Sequence, residues 1–433
     1  MANTYIKEVD NKTISGSTDT VTIFVPIVDS KLDATTTLSK FITVYGSTSE
    51  FENGKLSSTD SITNSNWYVG NIVAKKFVEL GATVVAYREK TADELKTAIT
   101  KKDSEVIKLL SDENLFDLDF ICFPNMQFLT TATKAEESLS NVVKKIISTG
   151  YESSAEEKLK RKSTVIVLDK ANIDYVDDDN KSAVENVEAA YAQFAKPFGE
   201  VFADVKAGKS YLERCTSLES SILASDTSNT YVENEKSLCL PGCYAMLNAY
   251  LNSVSSNAAW YAGAGVSRGV ISGLIEPTTV FTTSDVRLLQ TKVGSDTLPV
   301  SVNPIYNVRG FGNVVWGFRT LAPLSTSSEG LISGHFLNIR ILKNKIIKQI
   351  TKATTACYFD QNTDVTWTKF KSYVTPLLDR MVSGNGITSY KIIKEKTDKI
   401  EEIKGTIHIC PVGFVEDFDL TISIDDEGTS VLE

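Results

Sequence analysis

The segment AGKS at residues 207–210 comes nearest to a nucleotide-binding motif. A Walker phosphate loop needs a glycine five residues before the glycine of its Gly-Lys pair, and an apolar strand that leads into the loop. Ala203 stands at that position, and no apolar strand precedes it. The sequence therefore predicts no nucleotide-driven activity.

Two cysteines and two histidines are the next residues with potential chemistry. Cys239 and Cys243 flank Leu-Pro-Gly, but tetrahedral zinc needs four ligands and no second close pair exists. His335 and His408 are the only histidines, and no Gly-x-Ser-x-Gly elbow accompanies them. We expect buried structural cysteines, a sheet position for His408 and a capping or packing role for His335. The sequence predicts no catalytic residue, no cofactor and no metal.

Asp169 is the remaining candidate for chemistry, because it follows the apolar run STVIVL. Active-site residues of α/β proteins often lie where such a strand ends. A helix cap or turn cap is the simpler interpretation of this aspartate, and we favour it over an enzyme site.

Composition excludes several classes of protein. The chain has 433 residues and a formal net charge of −10, whereas a general nucleic-acid binder needs a broad basic surface. No run of about 18 apolar residues is present, the length that a membrane-spanning helix needs, and the start MANTYIKEVD lacks the pattern of a secretory signal. Six cysteines without framework spacing indicate a reducing compartment. We expect cytoplasmic synthesis, no membrane insertion and no direct contact with nucleic acid.

The elements that would position these residues begin with strands and a helix. TVTIFVPIV and FITVYG have the β-branched and aromatic content of strands. NWYVGNIVAKKFVELGATVVAYRE predicts a helix, a stop at Gly81 and a further strand. LDFICFP and STVIVLD are continuous apolar runs between charged helical stretches. Such runs are typical of a parallel sheet covered on both faces.

Three segments in the rest of the chain have clear patterns. Residues 309–321, RGFGNVVWGFRTL, are rich in glycine and aromatic residues but hold no acid, base or nucleophile. Residues 336–352 predict a helix without acidic residues, on which Ile339, Leu342, Ile346 and Ile350 share one face. Residues 418–425 alternate between apolar and polar side chains with a period of two, as a half-buried strand does. No strand partner follows it, so it must pair with an earlier segment or with another chain.

Seven segments, taken in chain order, resemble the contractile tail sheath proteins of bacteriophages and related injection systems. They are TYIKEVD, KKFVELGATVVAYR, AAWYAGAGVSRGVISG, VNPIYNVRGFGNVVWGFRTL, FLNIRILKNKII, TWTKFKSYVTPLLDRMVSGNGITSYKI and IHICPVGFVEDFDLTISI. The resemblance thins over residues 96–235, where that family carries a variable α/β domain.

The resemblance implies a fold class of α+β with α/β, in a subunit of several domains. The parts would be an N-terminal arm at 1–20, a discontinuous β-rich core domain at 21–95 and 237–411, an inserted subtilisin-like, non-catalytic α/β domain at 96–236, and a C-terminal arm at 412–433. It also implies a subunit that polymerises as stacked hexameric rings around an inner tail tube and contracts to drive the tube through a bacterial envelope. Partners would be further copies of the chain, the tail tube protein, and baseplate and tail terminator proteins. The location would be a virion tail.

The resemblance gives roles to four sets of residues. The arms would add strands to the sheets of neighbouring subunits, with SYKIIKE and GTIHICP as the accepting strands. The basic helix would face an acidic tube surface, and the Gly-rich segments would form core beside subunit contacts, with Arg309 and Arg319 pairing carboxylates. The residues are the N-arm strand Tyr5, Ile6, Lys7, Glu8 and Val9; the C-arm strand Phe418, Leu420, Ile422 and Ile424; the tube-facing Arg340, Lys345, Lys348 and Lys352; and the core or subunit-contact residues Trp260, Arg268, Trp316 and Arg319.

Two alternatives stay open at the level of sequence. A different self-assembling shell or tube protein would share the alternating arms and the lack of chemistry. An α/β hydrolase that uses the Asp169 region is the less favoured alternative.

Overall fold

The computed structural model describes most of the chain between residues 20 and 413. The described residues are 20–54, 62–101, 104–124, 126, 139–147, 161, 163–169, 178–187, 189–190, 215–218, 222–225, 237–271, 274–277, 279–291, 302–321, 336–397 and 400–413. Both predicted arm strands lie outside them, as do residues 207–210 and His335.

Strands and helices both occur along the whole of the described chain. The strands are β1 (Thr22–Val28), β2 (Phe41–Val44), β3 (Thr83–Glu89), β4 (Phe120–Cys122), β5 (Val165–Asp169), β6 (Cys215–Leu218), β7 (Ile222–Ser225), β8 (Ser237–Leu240), β9 (Leu274–Pro277), β10 (Ile305–Val308), β11 (Gly312–Val315), β12 (Ile387–Glu395) and β13 (Lys404–Pro411). The helices are α1 (Ile62–Glu79), α2 (Ala92–Thr100), α3 (Glu105–Leu110), α4 (Leu139–Ile147), α5 (Gly242–Ser256), α6 (Gly265–Arg268), α7 (Thr283–Thr291), α8 (Leu337–Thr355) and α9 (Asp364–Ser383).

A six-stranded sheet forms the centre of the molecule, in the order β2-β3-β1-β4-β5-β6. Strands β3, β1, β4, β5 and β6 run parallel, and β2 is an antiparallel strand at one edge. The helix α1 connects the first part of this sheet to β3 and ends before Gly81, whose φ of +85° suits glycine. The predicted parallel sheet and the predicted stop at Gly81 are both confirmed.

Both faces of this sheet are buried, because successive side chains of its strands enter different cores. Ile23, Val25 and Ile27 of β1 pack into a core shared with α1 and α5. Phe24, between them, packs into a second core shared with α2, α3 and α4. This two-sided burial explains why the strands are continuous apolar runs.

Strand pairing is continuous across residue 95. Strands β1 and β3 precede that residue, while β4, β5 and β6 come from the segment 96–236, and all five share one sheet. The sheet therefore has no break where the sequence places the start of an inserted domain, and a division of the chain there stays a prediction.

The C-terminal part of the described chain is a third packing unit. Helices α8 and α9 and the hairpin β12–β13 enclose a core that includes Leu342, Ile346, Val374 and Leu378. Helix α8 also contributes Leu337 and Ile341 to the core beneath the central sheet, so it lies between two cores. Among the described helices, none combines the length and the apolar character needed to cross a membrane.

Candidate assembly interface

The hairpin β12–β13 is the part of the described chain best suited to accept another strand. Its two strands pair antiparallel with each other, with Lys391 opposite His408 and Tyr390 opposite Ile409. Within the described residues neither strand pairs with a third. Each outer edge therefore carries backbone donors and acceptors that an added strand could use. The prediction that SYKIIKE and GTIHICP form strands, with His408 in a sheet, is confirmed.

The two faces of the hairpin differ in character. Tyr390, Ile392, Ile407 and Ile409 point toward the helices and pack against their core. The opposite face, which we call the open face, carries the side chains that alternate with these residues. Its members are Ser389, Lys391, Ile393, Glu395, Lys404, Thr406, His408 and Cys410.

Helix α9 packs chiefly against β12, and its Trp367 also meets Gly405 of β13. The Tyr390 hydroxyl donates to Asp379 Oδ1 at 2.6 Å, and Lys394 Nζ lies 2.7 Å from Asp364 Oδ1. Beside β13, the helices leave a concavity of about 470 Å³, which we call the α8–β13 groove. Its walls are the end of α8, the turn between α8 and α9, the start of α9, and β13 with the loop before it. Its lining includes Ile350, Cys357, Tyr358, Phe359, Trp367, Phe370, Ile403, Gly405 and Ile407.

The rim of the groove exposes large apolar side chains. Phe359 is fully exposed and has a φ of +67°, a strained conformation for an aromatic residue. Tyr358 and Ile400 are 67% and 88% exposed. Adjacent exposed apolar side chains such as Tyr358 and Phe359, which both line the groove, are typical of an interaction site.

Trp260 anchors the hairpin unit to the rest of the chain. Its indole Nε1 donates to the carbonyl of Gly384 at 2.8 Å, and its side chain is buried. A Cβ at Gly384 or Gly386 would lie 2.7 or 2.9 Å from the indole, so both positions require glycine. Of the two roles predicted for Trp260, the structure places it in the core.

Arg268 and Trp316, which the sequence also singles out, contact aromatic rings of the same subunit. Arg268 Nε donates to the Ala262 carbonyl at 2.9 Å, and its guanidinium lies 5.3 Å from the centre of the Tyr261 ring. Trp316 is half-buried and packs edge-on against Tyr306, with ring centres 5.9 Å apart. Both residues therefore stabilise local packing.

Arg319 is held by the segment that precedes β10. The amide side chain of Asn303 accepts from Arg319 N at 2.7 Å and donates to its carbonyl at 2.8 Å. The guanidinium lies over the ring of Phe336, 5.5 Å from its centre. These contacts join the β10–β11 unit to the start of α8.

The glycines of residues 309–321 shape a turn. Gly310 and Gly312 have φ values of +87° and +82°, and they lie on either side of Phe311, which is 57% exposed. The turn joins β10 to β11, where Asn307 Nδ2 donates to Asn313 Oδ1 at 2.9 Å. This segment is a structural hairpin that holds an exposed aromatic residue at its tip.

The basic helix α8 differs from its prediction in one respect. Ile339, Leu342 and Ile346 are buried along one side, as predicted. Arg340, however, is only 2% exposed, so its prediction as a tube-facing residue is wrong for this conformation. The reason is that α8 lies between two cores, and Arg340 and Ile341 lie on its second buried side.

Lys348 is engaged by carboxylates of its own chain. Its Nζ lies 2.6 Å from Asp117 Oδ1 and 2.6 Å from Asp119 Oδ1, and the side chain is only 16% exposed. Asp119 Oδ2 also accepts from Thr22 N, the first residue of β1, at 2.9 Å. Lys352 lies farther out, with its Nζ 3.8 Å from Asp117 Oδ2 and its side chain 69% exposed. We call this cluster the Lys348 clamp, because it fastens α8 to the end of the central sheet.

Charge and burial act against each other in the clamp. Burial works to lower the pKa of Lys348, but Asp119 and Asp117 outweigh it and raise that pKa above its ordinary value. Burial likewise works to raise the pKa of Asp117, but Lys348 and Lys352 outweigh it and hold that pKa below its ordinary value. Both shifts stabilise the charged forms of the pair.

The acidic residues of the clamp were not predicted. Asp117 and Asp119 alternate with apolar residues in the stretch LFDLDF directly before β4. Two residues that are two positions apart in an extended chain point to the same side. This spacing is the sequence signal that could have indicated that the two aspartates act as a pair. Lys348, the partner of Asp119, lies 229 residues further along the chain, so no local pattern in the sequence reveals the contact.

The described residues show no arrangement for metal chemistry. No group of three or more His, Cys, Asp or Glu side chains among them could hold a metal ion. Cys243 is buried at the start of α5, as predicted. Asp169 is the last residue of β5 and pairs in register with Leu218 of β6.

Comparison with known proteins points to one class. No family model matches the sequence. A curated relative is the tail sheath protein of Vibrio phage KVP40, which is 25% identical over 169 residues, or 39% of this chain. The match spans only 23% of the length of the phage protein.

Solved structures match over nearly the whole chain. The baseplate of the anti-feeding prophage in its contracted state contains a chain with a TM-score of 0.62 at 15% identity, covering 98% of both chains. The PVC sheath complex of an extracellular contractile injection system, in its contracted state, gives 0.59 at 15% identity over 99% of this chain and 98% of that one. The contracted helical sheath of the anti-feeding prophage gives 0.57 at 16% identity over 98% and 99%.

The fold is therefore a mixed helix and sheet fold shared with large structural assemblies. More narrowly, it is the fold of contractile sheath proteins, and the resemblance to contractile tail sheath proteins that the sequence indicates is confirmed. The relatives are structural components of phage tails and injection systems, which agrees with a structural role in place of an enzymatic one.

Proposed function

We propose that this chain is a sheath subunit that polymerises as stacked hexameric rings around an inner tail tube and contracts to drive the tube through a bacterial envelope. The observation that carries this proposal is the hairpin β12–β13, whose outer edges have no strand partner among the described residues. The whole-length likeness to sheath chains supports it. Partners would be further copies of the chain, the tube protein, and baseplate and tail terminator proteins, and the location would be the tail of a phage or phage-like particle.

The arms would link the subunits. Residues 5–9 and 418–424 lie outside the described part of the chain, and their alternation suits strand addition to a neighbouring hairpin. A mesh of added strands would keep subunits joined while they move against each other. The inserted α/β segment would then be a non-catalytic outer domain.

Electron microscopy of the purified chain tests the proposal directly. We expect hollow striated cylinders from the chain alone, or tubes covered along their length when the tube protein is co-expressed. Dispersed monomers under both conditions would contradict a sheath role.

Truncation tests the arms separately. Removal of the first ten or the last sixteen residues should leave a folded chain that no longer polymerises, because the strands that join neighbours are gone. Circular dichroism would establish folding, and sedimentation would measure polymer. Normal tubes from either truncation would contradict the arm proposal.

The tube contact is proposed for a smaller set of lysines than the sequence suggests. Lys352 is 69% exposed and Lys345 is partly exposed, whereas Lys348 is held in the clamp. Charge reversal of Lys345 and Lys352 to Glu should abolish assembly on the tube, because weak surface ion pairs of about 0–1 kcal/mol each act together there. Lys90→Glu, at an exposed lysine directly after β3, is the control. Unchanged assembly of the double variant would refute a tube contact through this helix.

A further inference from the structure

We infer that Asp117 is an internal competitor of the tube contact: its carboxylate holds Lys348 and Lys352, so an acidic partner surface engages them fully only by displacing it. This inference rests on the proposed tube contact and deepens it, because it assigns a side chain that regulates the contact. It predicts that loss of one acidic residue strengthens binding to the tube.

The Lys348 clamp lines a cleft of about 230 Å³ between α8, α9 and the start of β1, which we call the clamp cleft. Cationic side chains outnumber carboxylates in its lining by four to two. A cleft with an excess of one charge attracts groups of the opposite charge, so the clamp cleft favours a further carboxylate. Its charged residues are Lys345, Lys348, Lys352, Arg380, Asp117 and Asp119.

The two aspartates of the clamp are held to different degrees. Asp119 is 24% exposed, and its second carboxylate oxygen accepts from Thr22 N at 2.9 Å. Asp117 is 58% exposed, and each of its oxygens faces one lysine, Lys348 or Lys352. Asp119 is therefore fixed to the central sheet, whereas Asp117 lies at the surface, where another acid can take its place.

The two lysines differ in the same way. Lys348 is 16% exposed and keeps its contact with Asp119, 2.6 Å away, when Asp117 is displaced. Lys352 is 69% exposed, and its Nζ lies 3.8 Å from Asp117 Oδ2. The exchange of one carboxylate for another is therefore centred on Lys352, at the outer end of the clamp.

Such an exchange makes the tube contact easy to break. When a partner carboxylate takes Lys352, the pair with Asp117 is lost, and when the partner leaves, Asp117 recovers the lysine. Surface ion pairs are individually weak, so an internal pair of similar strength offsets much of the external one. Contraction would then release the tube without leaving the lysine charge unpaired.

Coverage of preassembled tubes measures the competition. Asp117→Asn removes the competing charge and keeps the size of the side chain. We would titrate purified tubes of the tube protein with the full-length chain and measure the covered length by electron microscopy. Half coverage should require a concentration about two- to fivefold lower than for the unchanged chain, the factor that one surface ion pair supplies.

Asp33→Asn is the matched control for this titration. Asp33 is exposed and follows the far end of β1, whereas the clamp lies at the start of that strand. The variant makes the same change in net charge, so it should leave the half-coverage concentration unchanged. Circular dichroism would establish that both variants are folded.

A double-variant cycle separates competition from plain repulsion between Asp117 and an acidic tube. If Asp117 acts by holding Lys352, the gain from Asp117→Asn should shrink when Lys352→Met is already present, because the two residues are coupled. Repulsion alone would give the same gain with and without Lys352.

Amine labelling of the unassembled chain tests the internal contact without any tube. Lysine reacts as the neutral amine, and a nearby carboxylate favours the charged form. Acetylation of Lys352 by an N-hydroxysuccinimide ester should therefore be faster in Asp117→Asn, whereas the exposed Lys90 should react at the same rate in both proteins.

Four results would overturn the inference. They are a half-coverage concentration that Asp117→Asn does not lower, an equal gain from Asp33→Asn, a gain that Lys352→Met leaves intact, and unchanged labelling of Lys352. Failure of the proposed function has a different signature, because the unchanged chain would then leave the tubes bare at every concentration.

Discussion

The central sheet and the C-terminal hairpin differ in how many of their faces are buried within one chain. In the six-stranded sheet both faces are covered by helices, and Ile23 of β1 is completely buried. In the hairpin one face packs on α8 and α9, and neither edge pairs with a further described strand. Ile393 lies on the open face. The sheet has both faces buried within one chain, whereas the hairpin has one, and we propose that a partner completes it. The difference separates the part of the molecule that keeps it folded from the part that we propose joins it to others.

Replacing one isoleucine by alanine in each region should give the largest difference in stability loss between the two regions. Ile23→Ala removes a side chain from the filled core and should cost about 2–5 kcal/mol. Ile393→Ala, the same change on the hairpin's open face, should cost less than about 1 kcal/mol. Urea unfolding midpoints of the unassembled protein would measure both. Equal losses would mean that the hairpin is as firmly packed as the sheet.

The Lys348 clamp connects the two regions, and its removal should have an intermediate effect. Lys348→Met leaves Asp117 and Asp119 without their shared cation and should destabilise the fold by about 2 kcal/mol. Hydrogen exchange of α8 should become faster, because the helix loses its tie to the sheet. Lys352→Met is the control and should cost less than about 1 kcal/mol, since that lysine is exposed. If Lys352→Met lost more unfolding free energy than Lys348→Met, Lys352 and not Lys348 would be the lysine that ties α8 to the sheet.

The pH dependence of the clamp should give the smallest effect. The pKa of Asp117 is lowered in the folded chain, so its contribution is present above the ordinary aspartate pKa of about 4 and is lost as pH falls through the folded value. The pKa of Lys348 is raised, so its contribution is present below the ordinary lysine pKa of about 10.4 and is lost as pH rises through the folded value.

Asp117→Asn tests the acid side of this dependence. The variant should be less stable than the unchanged chain near neutrality, and the difference should disappear in acid as Asp117 becomes protonated. Unfolding midpoints over an acid series would measure it. A difference that persists after protonation would mean that the asparagine acts through packing and not through charge.

Local patterns in the sequence predicted the elements well. LDFICFP and STVIVLD became β4 and β5, and the basic helix and both hairpin strands lie where their periodicity places them. Arg340 shows the limit of such patterns. A single apolar stripe through Ile339 and Leu342 predicts one buried side for α8, yet a second core covers Ile341 and Arg340 as well.

The sequence by itself determined which segments are strands and helices, that the central sheet is covered on both faces, and that the chain resembles contractile sheath proteins. These properties follow from alternation, capping and motif order, which are local. Only the tertiary structure decided that Lys348 meets Asp117 and Asp119, that Trp260 closes on Gly384, and that a groove opens beside β13. The first two contacts join residues more than a hundred positions apart, and all three features depend on how whole elements pack against each other.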